Sequence, residues 1–421
     1  MFLSTSSSST VDNYIDRVVE LFSFARRRRK TTISLTANEN ILSDTARLLG
    51  QNRYYDRYYF DGELNSGCRY ASYYNGMQFE NFPEVSELKE AAMVAAQKLF
   101  SASFIEFRVL SGVHCTLAMI ASLTEPGDTV WALDPRCGGH FATGPLIERL
   151  GRKYQYLLLK DNSKFDEHAL ALLLTNPPSA IVIDHGLANN IVSVSHIRQW
   201  LVRQGLERVL IIYDASHLLG LIAGKTVPNP LDEGADILQG NTHKSFPGPH
   251  RAIIAARCPL LARRISEGLE TGMVSSPNLS SLLQLFVTLL EMDQYGESYA
   301  QQMCSNAQFL AQSLTDIPGW EVLPTSTHKI LLMGEKSSDM AAYFNELGLR
   351  VNNKSLYGRS CLRLGVQEIT RLGINNEQLS IVSGVLRQIL LEEAGTTATK
   401  HQIEVLGQQL QHVHYSFDSR D

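Results

Sequence analysis

Short apolar runs alternating with helical stretches constrain this chain more than any other feature. Residues 105–110, 129–133, 154–159, 180–184 and 209–214 each read as a strand, with helical patterns such as 196–203 between them. Continuous rather than alternating hydrophobicity marks strands covered on both faces, and the strand–helix alternation implies an α/β domain around a mainly parallel sheet. Ligands of such sheets lie beyond the carboxyl ends of the strands. Ser111-Gly112, His140, Asp214 and Lys244 all fall at those ends, so one crevice collects them.

Lys244 sits in Asn-Thr-His-Lys-Ser-Phe-Pro-Gly-Pro (241–249), between the apolar runs 235–240 and 251–256. A turn this rich in Gly and Pro does not continue a helix, and it fixes the lysine just past a buried strand. The run 209–214 ends on a carboxylate, Asp214. An amine able to form a Schiff base, with a strand-end acid for a pyridinium nitrogen, is the protein side of pyridoxal 5′-phosphate chemistry. A surface lysine and a turn aspartate would leave the same local pattern.

Other residues bear on that reading. Ser111-Gly112 at a helix start offers N–H donors and the helix dipole to a phosphate, or serves only as a cap. His140 follows Gly138-Gly139, where the backbone can approach an aromatic ring closely; a structural histidine is the alternative. Arg363 lies within an apolar strand, Cys361-Leu362-Arg363-Leu364-Gly365. A buried guanidinium needs an anion, which is either a substrate α-carboxylate or a protein acid.

At 421 residues the chain calls for more than one core. Beyond Pro277 the pattern changes to a long helix (282–314), strands at 320–323, 329–333 and 362–364, and helices at 340–347, 378–392 and 402–411. The expected division is an N-terminal helix and arm (1–50), a large α/β domain (51–280) and a small α+β domain (281–421). Residues 53–74 read as an aromatic loop with almost no periodicity. A net charge of −5 gives no reason to expect nucleic acid or an anionic membrane, and the basic run 26–30 reads as a helix C-terminal cluster. The six cysteines show no CxxC pair and no metal-ligand spacing, so no metal is expected. No signal-peptide pattern or membrane-length apolar stretch stands out, and a cytoplasmic location is expected.

The motifs together resemble serine hydroxymethyltransferase. They are Thr36-Ala37-Asn38-Glu39-Asn40, Ser111-Gly112, Gly138-Gly139-His140, Tyr213-Asp214-Ala215-Ser216-His217, Thr242-His243-Lys244, and Leu362-Arg363-Leu364-Gly365 with Thr370-Arg371-Leu372-Gly373. The resemblance implies pyridoxal-phosphate fold type I, aspartate-aminotransferase-like, with a mainly parallel seven-stranded sheet and a smaller C-terminal domain. By it, Lys244 carries the cofactor, Asp214 meets the pyridinium and His140 stacks on the ring. His217 sits by the cofactor oxygen and His243 near the phosphate. Ser111, Gly112, Ser216 and Thr242 complete the cofactor's surroundings, while Arg363, Asn38 and Tyr74 bind substrate. Tyr54 matches a tyrosine that reaches the neighbouring subunit's phosphate, implying a homodimer with shared sites. The family's loop glutamate aligns best with Asp56.

Departures from the family bear on the reaction. Asn38 stands for Ser, Val113 for the second Ser of the phosphate turn, Cys137 for His, Pro247 for Arg, and Ser275-Ser276-Pro277 for Gly-Gly-Pro. The folate-contacting loop is reduced to residues 354–361. These features resemble the L-threonine transaldolase branch. There, threonine is cleaved to acetaldehyde and a glycyl quinonoid, which adds to a second aldehyde to give a β-hydroxy-α-amino acid, in natural-product pathways. The retro-aldol base would be His140, His217 or Asp56, and the substrates a small amino acid and an aldehyde. A tetrahydrofolate-using hydroxymethyltransferase, a threonine aldolase and an oxygen-using decarboxylase are the alternatives.

Overall fold

The apolar runs assemble into a seven-stranded sheet of order Phe104–Glu106, Ala252–Ala256, Ile237–Asn241, Leu210–Asp214, Ala180–Asp184, Thr129–Leu133 and Lys153–Leu157. Its strands pair in parallel except Ala252–Ala256, which runs antiparallel to both neighbours. The computed structural model describes residues 11–51, 53–60, 63–64, 71–74, 76–160, 164–184, 186, 191–392 and 396–419. Side chains alternate across the sheet. Ile181, Ile183, Ile211 and Tyr213 enter one core, while Ala180, Val182 and Ile212 enter another with Cys115, Ala118 and Met119 of the helix Gly112–Leu123. Burial on both faces explains why these strands read as unbroken apolar runs. The parallel register sets Asp184 beside Asp214, and Asp214 beside Gln239.

The helix Leu279–Ser313 is 35 residues long and is capped by the Asn278 side chain, which accepts from Ser281 N–H. Residues Leu279 to Met303 pack into the core under the large sheet; Ala307, Leu310 and Ala311 pack into a second core. That second core lies against a four-stranded antiparallel sheet of order Glu321–Val322, Lys329–Met333, Arg359–Gly365 and Asn352–Leu356. The last two strands form a hairpin whose turn residues, Tyr357 and Gly358, both have positive φ (52° and 73°). This matches the twist-compatible two-residue turn. Tyr357 N–H donates to Arg136 O at 3.0 Å, fixing the hairpin beside the turn that precedes His140.

The N-terminal arm joins the small sheet's side of the molecule: Ile33–Ser34 pairs in parallel with Leu349–Arg350, and Gly365 N–H donates to Leu35 O at 2.8 Å. Asp418 near the C-terminus caps the helix Asp44–Gly50, accepting from Asp44 N–H and Thr45 N–H at 2.6 and 2.9 Å. The segment expected to be an irregular aromatic loop is partly regular. A 3-10 turn, Arg53–Asp56, precedes an antiparallel sheet of Glu63–Leu64, Ala71–Tyr74 and Met77–Glu80. Aromatic residues suit strands, and ring contacts such as Phe60–Phe79 (centroids 4.5 Å) organise this sheet without an alternating pattern. Among the described residues no helix is long and apolar enough to cross a membrane.

Candidate active site

The carboxyl ends of the central strands open into a cavity whose walls include Gly112, His140, Asp184, Asp214, Ser216, His217, Asn241 and Lys244. Asp214 ends its strand with Oδ1 accepting from Ser216 N–H (2.8 Å) and Oδ2 accepting from Gln239 Nε2 (3.2 Å). Gln239 in turn donates to Thr116 Oγ1 at 2.8 Å, so the orientation of the carboxylate is set from the next strand and from the helix.

Lys244 projects from a loop pinned at both ends. Thr242 Oγ1 donates to Pro249 O (2.7 Å), Gly220 N–H donates to Ser245 Oγ (3.1 Å), and Asn40 Nδ2 donates to Lys244 O (2.6 Å). Gly248 N–H donates to Thr242 O at 2.6 Å, and a Cβ on Gly248 would press on that oxygen, so the glycine permits the tight return of the chain. The Lys244 amine lies 3.2 Å from His217 Nε2. Burial lowers the amine to about 8; the Arg363 and Lys354 charges act in the same direction and Asp214 opposes them. Burial, followed by the Lys244 and Lys329 cations, holds His217 well below the usual histidine range.

At the start of the helix, Ser111 Oγ accepts from His114 N–H at 3.2 Å. Gly112 N–H donates to Asn241 Oδ1 (2.8 Å), while Asn241 N–H and Nδ2 both approach Ser216 Oγ at 3.1 Å. A Cβ on Gly112 would stand 2.8 Å from Asn241 Nδ2 and 2.9 Å from Ser216 Oγ, so the position admits only glycine without movement. The Gly112 amide expected to face a phosphate is thus engaged by Asn241, and Ser111, Ser216 and the helix dipole remain on that side. His140 lines the opposite wall; its Nδ1 accepts from Ala142 N–H at 3.3 Å and its ring stacks on Phe141.

Arg363 is 2% exposed and makes no ion pair among the described residues. Its Nη2 donates to Asn38 Oδ1 (2.6 Å) and Asn352 Oδ1 (3.3 Å), and its Nε has no partner. A buried cation held only by neutral amides keeps donor capacity that an anion could fill. Arg363 therefore has no protein acid as its partner, the alternative its sequence context left open.

Some expected site residues stand outside this cavity in their own chain. Tyr54 donates to Glu84 and packs edge-on to Phe82, and Asp56 is exposed at the end of the 3-10 turn. His243 stacks on His250 at 3.8 Å, away from the cavity wall, and Thr242 is committed to its loop. The Tyr74 side chain lies outside the described residues. Asn241, Gln239, Thr143 and Asp184 were not singled out from sequence. Asp184 had the same signal as Asp214, a carboxylate closing an apolar run.

His217 Nδ1 and Asp184 Oδ1, on residues that line this cavity, and Arg363 Nε are buried hydrogen-bonding atoms left unfilled. An amine facing a strand-end carboxylate across such a space defines the class: a pyridoxal-phosphate-dependent enzyme of fold type I. Residues 11–386 match the family described as serine hydroxymethyltransferase, and the chain belongs to that family. It is 32% identical over 395 residues to a fluorothreonine transaldolase of Streptantibioticus cattleyicolor, covering 92% of this chain and 61% of that protein's length. It is 31% identical to an L-threonine:uridine-5′-aldehyde transaldolase of a Streptomyces species, covering 85% of this chain and 87% of the other. A serine hydroxymethyltransferase of Archaeoglobus fulgidus is 29% identical, covering 93% and 90%. Among solved structures, L-threonine transaldolase from Pseudomonas fluorescens in its internal aldimine state superposes with a TM-score of 0.84 at 26% identity, covering 97% of this chain and 94% of that one.

Proposed function

We propose that this enzyme is an L-threonine transaldolase, cleaving threonine to acetaldehyde and joining the remaining glycine unit to a second aldehyde to give a β-hydroxy-α-amino acid. The observation that carries this reading is the tight hairpin Asn352–Leu356/Arg359–Gly365. It turns in two residues where the family resemblance places a folate-contacting loop. The transaldolases among its relatives and the solved transaldolase of the same fold support the same reading. The hydroxymethyltransferase relatives support the runner-up, serine cleavage with tetrahydrofolate.

In this mechanism pyridoxal phosphate, once bound, supplies an electron sink for negative charge at the amino acid's α-carbon. Lys244, whose amine burial lowers to about 8, would be the amine that holds it and that the substrate's amino group displaces. Asp214, steadied by Ser216 N–H and Gln239, keeps the ring nitrogen protonated. Ser111 and Ser216 border the phosphate, and His140 backs the ring. Arg363, positioned by Asn38 and Asn352, grips the substrate carboxylate with its planar fork. His217, a neutral imidazole 3.2 Å from the Lys244 amine, is placed to take the proton of the β-hydroxyl as the carbon–carbon bond breaks.

A homodimer fits the same reading. The helix Val11–Arg29 leaves Tyr14, Val19, Phe22 and Phe24 more than half exposed, an apolar surface that a second copy would cover. Tyr54 and Asp56 would then serve the partner's site, in a cytoplasmic enzyme. The deciding experiment incubates the protein with threonine, with and without an acceptor aldehyde, and separately with serine and tetrahydrofolate. Acetaldehyde release that depends on the acceptor, with a new β-hydroxy amino acid formed in step, is expected. Faster folate-dependent turnover of serine would overturn the proposal.

A further inference from the structure

The mechanism above leaves one buried acid of the cavity unused. Asp184 is 3% exposed, closes the strand next to that of Asp214 and is its register partner. Both residues line the same cavity from neighbouring strands, whose backbones in a sheet run about 4.8 Å apart. Asp184 Oδ2 takes the hydroxyl of Thr143, but Oδ1 has no partner among the described residues. Asp184 is buried where Asp214 is only partly so, and a second negative charge beside Asp214 is disfavoured. Asp214 receives N–H donors from Ser216 and Gln239, whereas the side-chain donor to Asp184 is the Thr143 hydroxyl alone. Burial drives the Asp184 carboxyl well above the usual range. Asp214 adds to this, and the hydrogen bond from Thr143 only partly opposes it.

We propose that Asp184 is a proton-bearing carboxyl whose Oδ1–H donates to the ring oxygen of the bound pyridoxal phosphate. If Asp214 takes the ring nitrogen, a group one strand over would face the neighbouring part of the ring's edge, where that oxygen would be the acceptor. A neutral donor supports negative charge on the oxygen without adding a second anion beside Asp214. The other titratable or polar groups around Asp184 are Thr143 and the His140 amide from the turn above, and Tyr156 on the edge strand. Lys244 and His217 complete the same cavity wall. The inference concerns the cofactor alone and holds whichever aldehyde is the acceptor.

The test compares the holoenzyme with its Asp184→Asn and Asp184→Leu variants. It uses infrared difference spectra and the pH dependence of the cofactor's long-wavelength absorbance. At neutral pH the wild type should show a protonated-carboxyl stretch that both variants lack. Asparagine, neutral and still a donor, should leave the absorbance midpoint within about 0.3 pH unit, whereas leucine should move it by about one unit or more. No protonated-carboxyl stretch, or a one-unit fall of the midpoint in the asparagine variant, would show an ionised Asp184 and overturn the proposal. An unchanged midpoint in a leucine variant that retains cofactor would remove the donor role. If the leucine variant fails to fold, the infrared band and the asparagine variant still decide.

Discussion

Lys244 Nζ and His217 Nε2 stand 3.2 Å apart, one on a loop closed by Thr242 and Pro249, the other just beyond the strand that ends in Asp214. Burial penalises a charge on either group, and the Lys244 cation further disfavours one on His217. The amine therefore gives up its proton as pH rises through about 8, well below the ordinary lysine range, and the imidazole is neutral at physiological pH.

This has a consequence for the cofactor-free protein. The Lys244 amine falls from its ordinary 10.5 to about 8, so the unfolded chain binds the extra proton between those values. Stability should rise with pH across the window from about 8 to 10.5, because the unfolded state releases that proton while the folded state has already lost it. Lys244→Met should be more stable than wild type at pH 7 by up to about 3 kcal/mol, less the screening by solvent in the cavity. The gap should narrow as pH rises from about 8. Chemical denaturation of both apo-proteins at several pH values measures it, and a gap independent of pH would contradict the burial argument.

Arg363 separates function from stability. Replacing it with Met removes the charged fork that the proposal assigns to the amino acid's carboxylate, so kcat/KM for threonine should fall by roughly 100-fold, about 3 kcal/mol. No acid pairs with it among the described residues, so the melting temperature should stay within a few degrees or rise. A large loss of stability would mean that Arg363 is a structural cation.

The turn carrying His140 depends on Gly139. A Cβ there would run into the backbone carbonyl of Leu133, which is wholly buried. Gly139→Ala should therefore displace the turn, costing about 1–3 kcal/mol and weakening retention of the cofactor. Thermal melting and the cofactor content of the purified variant check this together.

Arg371 and Glu291, which do not line the cavity, form a 2.6 Å ion pair with neither side chain exposed. Glu291 also accepts from Phe417 N–H at 3.1 Å, and Arg371 donates to Tyr415 O, so the pair anchors the C-terminal tail. Glu291→Ala leaves a buried guanidinium without its acid and should cost about 3–5 kcal/mol. Arg371→Met/Glu291→Leu together should cost much less; equal losses for single and double variants would refute the pairing argument.

The sequence by itself determined the local features. Apolar runs long enough for one strand and buried on both faces marked the sheet, a carboxylate closing one of them marked Asp214, and a Gly/Pro loop past another isolated Lys244. Each depends on residues within about ten positions, where periodicity and turn chemistry act directly on the backbone. Tertiary structure alone decided what those residues meet. Asn38 reaches Arg363 across 325 positions, Asn40 reaches Lys244 across 204, and Asn241 engages the Gly112 amide across 129. The register between parallel strands sets Asp184 against Asp214, which neither strand's own pattern encodes. The aromatic segment after Arg53 shows the same limit, since its strands are held by ring contacts and antiparallel pairing rather than by a period in the chain. Such pairings are fixed by which faces pack together and which buried donors find acceptors, and both exist only once distant segments share one core.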